Sequence, residues 1–74
     1  MKSKNKRKQI IFGQTIRDLR QKRGMTLAKL AKLARIHPSY VADVERGGRN
    51  LSLLNILKFA PALGVHPSKL FVKF

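Results

Sequence analysis

Residues 26–48 read TLAKLAKLARIHPSYVADVERGG, and this stretch limits the fold more than any other. Two helix starts stand in it with almost nothing between them. Thr26 has a side-chain oxygen that can cap the exposed amides of a following turn, so a helix is predicted over about 27–34. His37 can cap a second one, and Pro38 suits its first position, where no backbone N–H is needed. Helical spacing puts Leu30, Ala31 and Ala34 on the inner face of the earlier helix, and Val41 and Val44 on that of the later one. Gly47 and Gly48 stop the later helix soon after Glu45. Only "RIH" joins the two, too few residues for an antiparallel return. The pair must therefore cross at a large angle, as in a helix-turn-helix.

The rest of the chain reads as helices that pack on this pair. Over 10–23, Phe12, Ile16 and Leu19, with Ile11 beside them, form one buried stripe. Arg17, Asp18, Gln21 and Lys22 fall elsewhere, and Asp18 and Lys22 stand four apart in the favourable order. Gly24 follows as a helix end prefers. Ser52 caps a fourth helix that would bury Leu53, Ile56, Ala60 and Leu63, with Leu57 and Phe59 nearer its flank and Gly64 at its end. Pro61 predicts a kink there, or an end by Ala60, because it lacks an N–H and clashes with the Leu57 carbonyl. Pro67 opens a short fifth helix, PSKLF, with Leu70 and Phe71 closing the core. No segment reads as a strand. The expected architecture is all-α, a compact five-helix domain over 10–74. A chain of 74 residues without cysteine has a marginal core and no covalent staple, so dimerisation would help it.

Charge narrows the function. There are 17 Lys and Arg against 3 Asp and Glu, a formal +14. Such a field attracts polyanions, nucleic acid first and an anionic membrane surface second. No apolar run reaches the roughly 18 residues of a membrane span, and "IIF" is too short for a secretory signal core. A cytoplasmic, nucleoid-associated protein is expected. Residues 1–9, MKSKNKRKQ, carry Lys2, Lys4, Lys6, Arg7 and Lys8 and can bury little. They predict a flexible basic arm, either a solvated tail or an arm that lies along phosphates or enters a minor groove. Two rival classes remain: a nonspecific RNA- or DNA-binding module, and a membrane-active amphipathic protein suggested by LAKLAKLAR. The second conflicts with the core role of Leu30, Ala31 and Ala34. Catalysis is not expected. Asp18, Asp43 and Glu45 are too few for paired-carboxylate chemistry, and His37 and His66 each precede a proline at a helix entry. No metal, cofactor or small-molecule ligand is implied.

The segments IRDLRQKRGMT, LAKLA, HPSYVADVERGGRN and LSLLNILKFAPALGV together resemble the phage-repressor-type helix-turn-helix proteins, the Cro/CI-like or XRE group. Within that group the likeness is to the controller proteins of restriction–modification systems. It runs from about Phe12 to Phe71. The resemblance implies a lambda-repressor-like DNA-binding domain acting in transcription regulation, as a repressor or activator, and bound as a dimer to a pseudo-palindromic operator in double-stranded DNA. Its third helix would enter the major groove while the second bridges the backbone.

Carried over by position, Pro38, Ser39, Tyr40 and Asp43 would lie by base edges or nearby phosphates. Arg49 would read bases from the following loop, and Arg46 and Asn50 would contact the backbone. Thr26 and the amides of helix 2 would clamp a phosphate. Leu27, Arg35 and His37 complete the DNA-facing set. Leu27 and Pro38 stand where relatives commonly place polar groups. Arg35 stands where they often have glycine, so the turn is either adjusted or strained by roughly 1 kcal/mol. Asp43 could accept from a cytosine amine or pair with Arg35, Lys29 or Arg46. Arg20 and Glu45 match a buried ion pair of the family that would lock helix 3 to helix 1. The apolar residues left for a dimer interface are Leu57, Val65, Val72 and Phe74.

Overall fold

The computed structural model describes the backbone of residues 2–74 and side chains from residue 6 onward. Four α-helices follow one another, α1 (Lys2–Lys22), α2 (Leu27–Ala34), α3 (Pro38–Glu45) and α4 (Leu53–Leu63), and a 3₁₀ helix, Pro67–Phe71, closes the chain. Among the described residues there is no strand. The fifth element thus has the predicted bounds but the tighter winding.

Local chemistry sets the helix starts. Thr26 Oγ1 accepts from Lys29 N at 3.0 Å, His37 Nδ1 from Ser39 N at 3.1 Å, and Ser52 Oγ from Asn55 N at 3.2 Å. Each satisfies an amide that the first turn leaves without a partner. Helix α2 ends on Arg35, which adopts the left-handed conformation (φ 58°, ψ 44°) and donates its amide to the carbonyls of Ala31 and Lys32. The turn is not adjusted to avoid glycine's geometry. An arginine bears a strain of roughly 1–2 kcal/mol in it.

Phe12 and Ile16 of α1, Leu30, Ala31 and Ala34 of α2, Val41 and Val44 of α3, Phe59, Ala60 and Leu63 of α4, and Leu70 form the core. Thr15, buried beside Ile16, donates its hydroxyl to the Ile11 carbonyl at 2.9 Å. The closest approach is between backbones. A Cβ on Gly13 of α1 would stand 2.1 Å from the Val44 carbonyl oxygen, and one on Gly47 would stand 2.6 Å from the Ile10 side chain. Gly47 also needs its positive φ of 77°. These two glycines let α1 lie directly on the C-terminal end of α3.

Four expectations need correction. The first helix does not begin at residue 10 but runs back to Lys2, through the segment read as an arm. That segment has no glycine or proline, and lysine, arginine and glutamine are good helix formers. Lys6 Nζ also donates to the Gly47 carbonyl at 2.7 Å, tying the added turns to the end of α3. The side chains of Lys2 and Lys4 lie outside the described residues.

Phe59 is not at the flank of α4 but wholly buried, packed edge-on against Phe12 with ring centroids 6.3 Å apart. It stands three residues after Ile56 and four before Leu63, so it shares their face. Leu53 is 68% exposed because the first turn of α4 overhangs the core, and Ile56 is half-buried. Pro61 does not end α4, which continues to Leu63 and is capped by Gly64 with φ 68°. Pro61 and Leu57, four residues apart, are both exposed, so the carbonyl that loses its partner lies on the solvent side. Phe71 closes the core from its outer side, as expected. It is part-exposed and stacks between Phe12 (5.9 Å) and Phe74 (5.7 Å).

Candidate nucleic-acid interface

The outer side of α3 is bare. His37, Pro38 and Ser39 are exposed at its start. His37 Nδ1 lies 2.8 Å from Ser39 Oγ, so the imidazole organises the first turn and fixes the hydroxyl. Further along this side, the side chains of Arg46 and Arg49 fold back over it. The start of α2 flanks it: Thr26 is exposed, and the cap that its hydroxyl makes leaves further first-turn amides pointing outward. Leu27 is half-buried against the core and presents only hydrocarbon. Arg35 projects from the turn between the two helices and is exposed.

Behind Ser39 the surface becomes a linked polar network. Tyr40 is half-buried against the core. Its hydroxyl accepts from Asn55 Nδ2 of α4 at 3.1 Å. The Arg49 guanidinium lies over its ring, 4.9 Å from the centroid. Arg49 also pairs with Asp43 Oδ2 at 3.2 Å, and Arg46 pairs with the other oxygen of the same carboxylate. Asp43 therefore joins two arginines, including Arg46 from the expected candidates, and no contact links it to Lys29 or Arg35. Asn50 follows, exposed.

What holds this surface is the pair beneath it. Arg20 Nε and Nη2 donate to the two oxygens of Glu45 at 2.7 and 3.0 Å, and Nη1 donates to the Met25 carbonyl at 2.8 Å. The side chains are 12% and 7% exposed. The hydrogen bonds to Glu45 hold the Arg20 pKa above its ordinary value, and the Glu45 charge adds to this while burial works against it. One guanidinium thereby fastens α1, the entry to α2 and the last residue of α3 together. Geometry of this two-pronged kind is specific as well as strong.

The helix-turn-helix family matches residues 16–70. The chain belongs to that family. Control protein C.BamHI of Bacillus amyloliquefaciens is 47% identical over 62 residues, which are 82% of this chain and 76% of the relative. The immunity repressor protein of Bacillus phage phi105 is 41% identical over 56 residues, 76% of this chain but 39% of the longer relative. The restriction-modification controller protein C.AhdI from Aeromonas hydrophila superimposes with a TM-score of 0.84 at 48% identity, over 86% of this chain and 97% of that one.

In this helix-turn-helix protein the residues singled out from sequence do not all fall together. Thr26, Arg35, His37, Pro38, Ser39, Arg46, Arg49 and Asn50 are exposed, and Tyr40 and Asp43 are half-buried within the network. The residues assigned to an interface lie elsewhere. Leu57, Val72 and Phe74 are exposed on α4 and the chain's end, and Val65 is half-buried. Sequence reasoning missed Asn55, and it named Lys6 without its contact to Gly47, because the partners Tyr40 and Gly47 are distant along the chain. A second polar residue after the cap Ser52 in the LSLLNIL segment was the only signal for Asn55.

Proposed function

We propose that the protein is a sequence-specific DNA-binding transcription regulator that inserts α3 into the major groove of a pseudo-palindromic operator. The observation that carries this reading is the uncovered outer side of α3, braced from behind by Arg20 and Glu45 on a chain of net charge +14. His37, Pro38 and Ser39 would lead into the groove. Arg49 would read a base, and Tyr40 and Asp43 would line the approach. Arg46, Asn50, Arg35 and the amides after Thr26 would hold phosphates, with Leu27 against the sugar edge. The N-terminal turns of α1, with Lys6, Arg7 and Lys8, would add contacts without sequence preference. The names of the relatives, a control protein and an immunity repressor, support regulation. The protein would act on the nucleoid.

A second copy completes the operator reading. Leu53, Leu54 and Leu57 are 68%, 73% and 41% exposed on one side of α4, and Val72 and Phe74 are 65% and 61% exposed near the chain's end. An apolar surface of this kind is characteristic of a protein interface. A symmetric dimer through it would set two α3 helices about one DNA turn, roughly 10 bp, apart. The membrane-active alternative loses its apolar face, because Leu30, Ala31 and Ala34 are already buried in the core.

Selection of bound duplexes from a random pool tests the proposal. A palindromic consensus with half-sites about 10 bp apart is expected. Enrichment of no sequence would replace this reading with that of a nonspecific coating module. Affinity for the selected site should also fall with salt at a log–log slope of about −0.9 per phosphate neutralised.

A further inference from the structure

Asn55 has no place on the surface assigned to DNA. It sits in the first turn of α4, half-buried, and its backbone amide already makes the cap to Ser52. Its side-chain amide is not needed for that cap. Nδ2 donates instead to the Tyr40 hydroxyl at 3.1 Å, across to α3. The consequence runs outward. The Tyr40 ring carries the Arg49 guanidinium at 4.9 Å from its centroid. Arg49 Nε and Nη2 meet Asp43 Oδ2 at 3.3 and 3.2 Å. The network thus runs from a helix behind the interface to the arginine at its front.

We infer that Asn55 is a positioning residue for sequence readout, acting through Tyr40 to hold Arg49 in one orientation before DNA arrives. This deepens the DNA-binding reading above and rests on it. Arginine has a rotamer-rich side chain, and its planar fork discriminates only when it meets a base edge in the right plane. A guanidinium held between an aromatic face and a carboxylate has already lost most of that freedom, so less is lost on binding. Asp43 adds a threshold. Arg49 gives up its carboxylate only where an acceptor pair lies within reach of the held fork, so a phosphate elsewhere along the backbone does not draw it away. The ring of Tyr40 must stay in place for both effects, and the Asn55 amide is what anchors its far end. With that anchor gone, the ring swings, Arg49 follows it, and the side chain becomes an ordinary phosphate-seeking cation.

The test compares the full-length wild type with Asn55→Leu, Tyr40→Phe and the double variant. Affinity is measured by fluorescence anisotropy for the selected operator, for a set of operators each changed at one position, and for a random duplex. Thermal unfolding is followed in parallel. Asn55→Leu should lower the ratio of operator to random-duplex affinity by roughly three- to tenfold, the effect of one hydrogen bond. Random-duplex affinity should stay at the wild-type value, and the unfolding temperature should fall by no more than the few degrees that one part-buried hydrogen bond is worth. The loss should concentrate at the operator position that Arg49→Ala relaxes. Tyr40→Phe keeps the ring and removes the hydroxyl, so it should lower the preference at that same operator position, and the double variant should lose no more of it than either alone. An unchanged ratio in both single variants overturns the inference. So does an equal fall in both affinities together with a lower unfolding temperature, which marks a purely structural contact. A wild type that shows no operator preference overturns the DNA-binding reading itself, and that result is visible before any variant is compared.

Discussion

Gly13→Ala offers the sharpest check on how α3 is held. Two effects of opposite sign meet at this residue. Glycine inside a helix is worse than alanine by roughly 1 kcal/mol, so helix propensity alone says that the substitution stabilises α1. The structure says otherwise. The new Cβ would stand 2.1 Å from the Val44 carbonyl oxygen and 2.9 Å from that of Glu45. Both are backbone atoms at the end of a helix, so no side chain can rotate out of the way. Relief requires α1 and the last turn of α3 to part by about 1 Å, and overpacking of this kind costs about 1–3 kcal/mol. Because neither side is flexible, the upper end applies, and the net loss is roughly 2 kcal/mol after the gain in propensity.

For a domain of this size that loss lowers the unfolding temperature by about 8–16 °C. Far-UV circular dichroism during heating measures it. Gln14→Ala is the control, since Gln14 is the exposed neighbour on the same helix and should scarcely move. A Gly13→Ala protein that melts at or above the wild-type temperature would refute the close approach of the two backbones. It would also remove the reason for thinking that α1 sets the angle at which α3 is presented.

Three further outcomes follow from the same geometry. Glu45→Ala leaves the Arg20 guanidinium buried with only the Met25 carbonyl, so urea unfolding should show a loss of about 3–5 kcal/mol, and replacing both members by apolar residues should recover most of it. Arg35→Gly removes a left-handed arginine with φ 58°, so it should gain up to about 1 kcal/mol in the same assay while weakening DNA binding for every sequence alike. Leu57→Lys places a charge on the exposed apolar side of α4. Sedimentation should show a weaker dimer with little change in the unfolding of the monomer.

How much of this was legible in the sequence depends on how far each cause lies from its effect. Thr26, His37 and Ser52 announce their helices because a cap is made within a single turn, and Pro38 and Gly64 act within one or two residues of themselves. The bounds of α2 and α3 and the start of α4 were therefore readable from chemistry alone. Arg20 and Glu45 were readable only through family resemblance, since nothing near either residue names the other.

Where the cause lies in another helix, local rules mislead. Gly13 reads as a weak spot in α1, and only the Val44 carbonyl explains it. Lys6 reads as one more charge in a solvated run, and only the Gly47 carbonyl shows why the helix includes it. Pro61 reads as a stop, yet the helix passes through because the affected face is the exposed one. Tyr40 shows the same division within the interface. Its offset from Val41 and Val44 correctly separates it from the centre of the core, but one step along a helix is only part of a half-turn. The contact with Asn55 on α4 then decides that the ring lies along the surface and not out from it. The parts of the site that would hold backbone phosphates are local and legible. The part that would recognise sequence is tertiary, because aiming a long side chain needs support from elements that the chain supplies only after it has turned.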